Sequence, residues 1–402
     1  MNLSSSEPDH TSASLSEGAA FSRGQGLSRR AVLTAGVGAV AGLALAGAGI
    51  AGSGALSASA APPWWAKLST RQQVGQRVIY SYPGATPPQS LLDGIAAGEV
   101  GGVIFFGENI TSLPQIAAVV AQLRAAQASS PIKEPLLFMT DQEGGLIRRL
   151  RGQEPVLSEK QIGLQPDPDA AATAAGAGAA GALRNVGMNL NLAPVLDVFR
   201  TPGNFDDQFQ RSYSSDPVLA GRLGADFVRA QQGAGVAATS KHFPGLGAAT
   251  ASENTDLGPV TLTQSLDELR AVDESAFAPA ISVGVQLVMT SWAIYPALDP
   301  VYPAGLSSTI VQGELRQRLG FDGVTITDAL EAGALNAFGD TGARALLSAQ
   351  AGMDLLLCSA RDMQQGLDAL DAVTAAVDDK TLNPGTFKQS LRRVQSLRAG
   401  LF

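Results

Sequence analysis

Short runs of β-branched and apolar residues recur along the chain, each followed by a polar loop and then by an Ala-rich segment of helical spacing. Eight such runs fall near Arg77–Tyr80, Gly102–Phe106, Leu136–Thr140, Asn189–Ala193, Val236–Thr239, Gln286–Thr290, Val324–Thr327 and Asp354–Leu357. Helices are expected between them over Leu113–Gln127, Ala170–Asn185, Pro217–Gln232, Ser265–Val283, Ser308–Leu319 and Gly342–Ala351, and Asn383–Phe402 reads as a closing helix. This alternation predicts a parallel sheet with crossover helices, and eight strands suit a closed α/β barrel of the (β/α)8, or TIM, type in one domain. A doubly wound open sheet is the alternative. Its phosphate-binding glycines should follow the first strand, and Ser81-Tyr82-Pro83-Gly84-Ala85 lacks that spacing. The small residues of Ala175–Gly181 read as a helix in close contact with a neighbour.

The first sixty residues depart from this pattern. A polar, Ser-rich start leads to Ser28-Arg29-Arg30-Ala31-Val32-Leu33 and then to an Ala/Gly/Leu run ending at Ala58-Ser59-Ala60. Paired arginines before a mildly apolar segment resemble a twin-arginine export signal, and Ala58-Ser59-Ala60 suits signal peptidase. Residues 1–60 are therefore expected to be a cleaved signal and 61–402 the mature barrel, exported to the cell wall or beyond. The apolar stretch is long enough for a retained anchor, but its Gly and Ala content favours cleavage. Cys358 is the single cysteine of the 402 residues, so neither an internal disulfide nor a lipidated thiol at the cleavage point is available. Net charge is −8 and stays there when residues 1–60 are removed, because three acids and three arginines cancel. An acidic surface argues against nucleic acid as a partner. No Cys/His spacing of zinc type occurs, and neither metal nor cofactor is expected.

Charge collects at the ends of the predicted strands. Lys241-His242 follows the apolar run Gly235–Thr239, and Asp328 follows Gly323–Thr327. Asp141, Asp197 and Trp292 end the third, fourth and sixth strands. In barrels of this kind chemistry gathers on that rim, since the loops there vary over a rigid floor. Singly, Asp328 could be a helix N-cap and Lys241-His242 a solvated turn. Together, five strand ends on one rim point to a site.

Lys241-His242-Phe243-Pro244-Gly245 resembles the signature of glycoside hydrolase family 3, and further matches follow in order from Leu68 to Leu357. Ser69–Gly75 resembles the family's opening helix, Gly101–Phe106 its second strand, and Asp141-Gln142-Glu143-Gly144-Gly145 with Arg148-Arg149 its substrate loop. Asn191–Asp197 and Arg211-Ser212-Tyr213 continue the series. The short-chain branch it is most similar to is that of bacterial β-N-acetylglucosaminidases (β-N-acetylhexosaminidases). This resemblance implies a retaining hydrolase acting on terminal β-linked N-acetylglucosamine of cell-wall fragments, muropeptide-type substrates or chitin oligomers. It makes Asp328 the nucleophile and gives Asp141, Arg149, Arg211, Lys241 and His242 the terminal sugar. Those residue types fit polyol recognition, because carboxylates accept from hydroxyls while Lys and Arg only donate to them. Trp292 could stack on a sugar face or seal the barrel as a core aromatic.

The acid/base loop departs from the family pattern. A paired Asp and His are implied after the signature, and those positions hold Ser252 and Asn254, neither able to donate a proton near neutral pH. Leu246 stands where another histidine is common. Asp256 and Glu253 lie in the same loop, and either carboxyl could serve if apolar surroundings raised its pKa. Asp256 is weighed first, against the option that Asn254-Thr255-Asp256 is a turn whose Asp only bonds backbone amides. The altered loop leaves room for a phosphate-using variant or for a sugar-binding barrel that has lost catalysis. A β-glucosidase of the same family is a third option, disfavoured because little chain follows the eighth strand to form an acid-donating second domain.

Overall fold

In the computed structural model, residues 64–402 are described; the expected signal and its cleavage point lie outside the described residues. Eight parallel strands form one sheet: β1 (Val78–Tyr80), β2 (Gly102–Ile104), β3 (Leu137–Thr140), β4 (Leu190–Asn191), β5 (Ala237–Phe243), β6 (Leu287–Thr290), β7 (Val324–Ile326) and β8 (Leu356–Leu357). Neighbours in sequence are neighbours in space, and β8 pairs with β1 through Val78–Leu356 and Ile79–Leu357. A parallel bridge between Ile326 and Leu355 joins the remaining two edges, closing the barrel. Each predicted run overlaps one strand.

Alternation along the strands divides the core. Ile79, Ile104, Leu137, Met139, Leu190, Leu287, Ile326 and Leu357 pack inside the barrel, while Val78, Tyr80, Val103 and Phe138 belong to the cluster beneath the helices. Both faces are covered, so the runs are apolar throughout, as parallel strands require. Val394 and Leu397 of the helix Pro384–Ala399 join the inner cluster and so plug one end. Buried Arg398 fixes that helix by donating to the carbonyls of Pro135 at 2.7 Å and Glu134 at 2.8 Å.

Helices Leu113–Ala128, Pro168–Asn185, Pro217–Gly233, Thr341–Ala351 and Pro384–Ala399 lie where the periodicity puts them. The span expected as one helix over Ser265–Val283 is instead broken into Leu266–Glu268, a wide π-turn Leu269–Asp273, a tight turn Glu274–Ala276 and Phe277–Ser282. Pro279 explains it: its ring lacks an N–H and crowds the carbonyl four residues earlier, that of Ser275. Ser275 Oγ also bonds the carbonyls of Ala271 and Val272. Helices Gln89–Ala97 and Met363–Asp378 and the hairpin Gln142–Gly144/Ile147–Arg148 were not anticipated.

The Ala/Gly helix Pro168–Asn185 lies against Pro217–Gly233, and Gly176 sits at the closest approach, where a Cβ would stand 2.3 Å from the Phe227 carbonyl oxygen. Gly181, on the same helix, has open space around it. Gly176→Ala is expected to destabilise the fold by about 1–3 kcal/mol through overpacking. Gly181→Ala should be neutral or stabilising by up to about 1 kcal/mol from helix propensity. Urea midpoints of the two variants check the contrast.

Candidate active site

The strand ends converge on one cavity of about 700 Å³. Its walls carry Asp141, Arg149, Arg211, Lys241, His242, Asp256 and Asp328, whereas Asp197, Trp292 and Glu253, also singled out from the sequence, do not line it. The Glu253 carboxylate accepts from the Thr250 amide at 2.7 Å, closing its own turn. Glu253 thus sits off the cavity wall, whereas Asp256 lines it.

Asn191, at the end of β4, accepts from the Gln142 amide at 2.9 Å and donates to its carbonyl at 3.1 Å, fixing where the chain leaves β3. Gln142 in turn accepts from the Leu150 amide at 3.0 Å and stitches the hairpin together. The hairpin thereby presents Asp141, Glu143 and Arg149 to β5. Lys241 is buried rather than solvated, as is His242. Its Nζ lies 2.9 Å from Asp141 Oδ1 and 2.8 Å from Glu143 Oε1. Arg211 donates to both Glu143 oxygens at 2.9 Å and to Asp206 at 2.7 Å, and Arg149 stands 3.5 Å from Asp141. Charge therefore alternates along Asp206, Arg211, Glu143, Lys241, Asp141 and Arg149. Burial alone would raise the Asp141 carboxyl, but Lys241 and Arg149 outweigh it and hold it at about 2.

His242 Nδ1 is 2.7 Å from Asp197 Oδ2, while Asp197 Oδ1 accepts from the amides of Leu246 at 2.6 Å and His242 at 3.3 Å. Burial, followed by Arg211, pushes His242 down to about 4, so the imidazole is neutral near pH 7 and its Nδ1–H donates to Asp197. Burial raises Asp206 to about 6 against the pull of Arg211. The ligand atoms of Asp197, Asp206 and His242 lie within 4.8 Å of one another, a grouping that could hold a cation, although hydrogen bonding already accounts for the Asp197–His242 pair.

Asp328 follows β7 and is half-buried; its Oδ1 accepts from the adjoining Ala329 amide at 2.7 Å. The next helical turn begins only at Gly333, so Asp328 is not a helix cap. Burial raises its pKa, with Asp256 adding to the rise and His242 opposing it. Trp292, almost fully buried, is a core aromatic that does not line the cavity; its Nε1 donates to the Ala329 carbonyl at 2.8 Å, seating the segment that bears Asp328.

Asp256 is an exposed residue of the cavity wall. The turn around it is closed by Asn254, whose Oδ1 accepts from the Asp256 amide at 2.8 Å, which leaves the Asp256 carboxyl out of the turn. Two backbone bonds sew this loop to the segment after β7: Gly333 N–H to Asp256 O at 2.9 Å and Ala334 N–H to Thr255 O at 3.0 Å. A Cβ on Gly333 would stand 2.5 Å from the Leu257 carbonyl, so the approach depends on glycine there. The Asp256 carboxyl is raised by burial, then by Glu331.

Sequence reasoning left Glu143, Asp206 and Glu331 without roles. Glu143 was legible in principle, lying two residues from Asp141 in the same quoted loop; Asp206 and Glu331 carry no comparable local signal.

Residues 70–397 match the glycosyl hydrolase family 3 N-terminal domain. Over 348 residues the chain is 47% identical to an uncharacterised secreted glycosyl hydrolase of Arthroderma benhamiae, covering 86% of this chain and 97% of that one. A β-hexosaminidase of Stenotrophomonas maltophilia is 34% identical, over 71% of this chain and 82% of its own. A family 3 β-N-acetylglucosaminidase from a Paenibacillus strain superposes with a TM-score of 0.77 at 36% identity; it matches 83% of this chain, which spans 63% of that protein. The chain belongs to glycosyl hydrolase family 3 and is a glycosidase.

Two of these shifts fix how the fold meets acid. Between its ordinary value near 6.5 and about 4, His242 binds a proton only when unfolded, so stability falls as pH drops through that window. Asp141, held at about 2, contributes stability that is complete above about pH 4 and is lost as pH falls towards 2. Asp206, raised to about 6, acts oppositely in the same window because it binds a proton when folded, so the test is a difference. The unfolding free energy of wild type relative to His242→Gln should fall as pH drops from 6.5 to 4.

Proposed function

We propose that this glycosidase is an exported, retaining β-N-acetylhexosaminidase that removes terminal β-linked N-acetylglucosamine from cell-wall or chitin-type oligosaccharides. The observation that carries the reading is the shared cavity of Asp328, the Lys241/His242 pair and Asp256. Asp328 attacks the anomeric carbon, and the leaving oxygen takes a proton from Asp256. A covalent glycosyl-enzyme results. Asp256 then removes a proton from water, which attacks the same carbon, displaces the Asp328 carboxylate and restores the starting configuration. Esterification of Asp328 removes a negative charge from beside Asp256, so the acid of the first step becomes the base of the second.

Asp141, Arg149, Arg211, Lys241 and His242 bind the terminal sugar in this reading. Their alternating ion pairs fix donors and acceptors in advance, so hydroxyls meet an already ordered frame. Export from a signal in residues 1–60 is supported by the secreted description of the Arthroderma relative. Among the described residues no helix is long and apolar enough to cross a membrane.

A second reading, a sugar-binding barrel without turnover, is favoured by Ser252 and Asn254 in the acid/base loop. Steady-state assays on aryl β-N-acetylglucosaminides, with the matching glucosides alongside, separate the two. Asp328→Ala should lose turnover on every substrate, and wild type quenched during turnover should carry a sugar adduct on the peptide containing Asp328. Asp256→Asn should cost about 10²–10⁴-fold on a poor leaving group and far less on a good one. Unchanged activity in Asp328→Ala removes the nucleophile assignment, and binding without turnover in wild type selects the second reading.

A further inference from the structure

Three phenylalanines line the cavity, and they differ in what already covers them. The Arg361 guanidinium stands over the Phe106 ring, 4.5 Å from its centroid. Phe205 packs on a buried apolar cluster that includes Val198 and Ala249. Phe209 is 41% exposed and meets Phe205 in an edge-to-face pair, with centroids 5.6 Å apart and planes at 78°. Such a pair leaves at least one face of Phe209 uncovered by its neighbour. That face is apolar, and the side chain carries no hydroxyl or N–H that asks for a partner.

The backbone fixes where this ring stands. The short helix Phe205–Gln208 is sewn to the loop that bears Asp256: the Phe205 amide and Asn204 Nδ2 both donate to the Ala249 carbonyl at 2.9 Å, and Gln208 Nε2 donates to the Ala251 carbonyl at 2.8 Å. At its other end the amides of Phe209 and Arg211 share the Asp206 carbonyl, at 3.1 Å and 3.0 Å. Phe209 therefore stands between Arg211, which holds the terminal sugar, and the loop that carries the proton donor. The bond to be cut lies between those two, so the group beyond it falls on the Phe209 side. We infer that Phe209 is the stacking platform for the leaving group, and that it selects a leaving group that is itself a β-linked pyranose. This rests on the reading of Asp256 as acid and Arg211 as sugar ligand. A pyranose with equatorial substituents turns its axial C–H bonds to both faces, which gives a flat apolar patch the size of a phenyl ring. The electron-rich ring face attracts those hydrogens, and covering it takes apolar area out of water. A cavity of about 700 Å³ is within the range that accommodates drug-sized ligands, more than a single sugar ring fills. Stacking of this kind is the same before and during bond cleavage, so it acts through KM more than through kcat.

The test compares kcat/KM on the disaccharide of two β-linked N-acetylglucosamines with kcat/KM on trifluoroethyl β-N-acetylglucosaminide, whose leaving alcohol has an acidity near that of a sugar hydroxyl but no ring. In F209A the ratio of the two should fall about tenfold, mostly through KM on the disaccharide. F209W, which keeps a flat ring, should restore most of the ratio. An unmoved ratio in F209A, including a loss shared equally by both substrates, overturns the inference, and so does a ratio that rises. Should F209A not fold, F209L, apolar but without a flat face, carries the test: a fall in the ratio supports the platform and an unmoved ratio overturns it. Failure of the underlying reading looks different. If wild type cleaves neither substrate, the hexosaminidase reading and the platform fall together; if wild type cleaves both and F209A leaves the ratio unmoved, the platform falls alone.

Discussion

One ammonium group organises the rim of this barrel. Lys241 lies near the end of the longest strand with its Nζ between Asp141 and Glu143, both carried on the chain leaving β3, and so ties non-adjacent strands across the barrel mouth. Neither carboxylate could stay buried alone, since an unpaired charge out of water costs several kcal/mol. Arg211 completes the balance by taking both oxygens of Glu143 and one of Asp206. Removing any member leaves a neighbour charged and unmatched. The frame therefore holds as a unit.

A second layer fixes the reactive segment. The chain after β7 is gripped from the core by Trp292 through the Ala329 carbonyl and from the outside by the Asp256 loop through Gly333 and Ala334. Asp328 and Asp256 are thus mounted on mutually bonded pieces of backbone. The Asp256 loop is thereby tied to the segment that bears Asp328.

Much of this was readable from residues. The eight strands were legible because both faces of each are buried, which writes apolar runs at regular intervals, and the rim charges stood out because each interrupts such a run. Asp141, Lys241, His242 and Asp328 met in one cavity for the same reason. What was not legible depended on distance in the chain. Glu331 takes its partners from Ser359 and Gln365, about thirty residues away, and Asp206 from a set closed only by folding. Glu253 and Asp256 look alike in sequence and differ only in that a nearby amide claims the first. The broken helix before β6 carried its own warning in Pro279, which periodicity alone overrode.

Of the three tryptophans, two sit side by side at positions 64 and 65, whereas the third, Trp292, is hydrogen-bonded to the residue following Asp328. An indole emits according to the polarity and mobility around it. The molecule thus carries its own optical gauge of the reactive segment: near-ultraviolet dichroism and emission from Trp292 register whether that stretch is seated, with no external label attached.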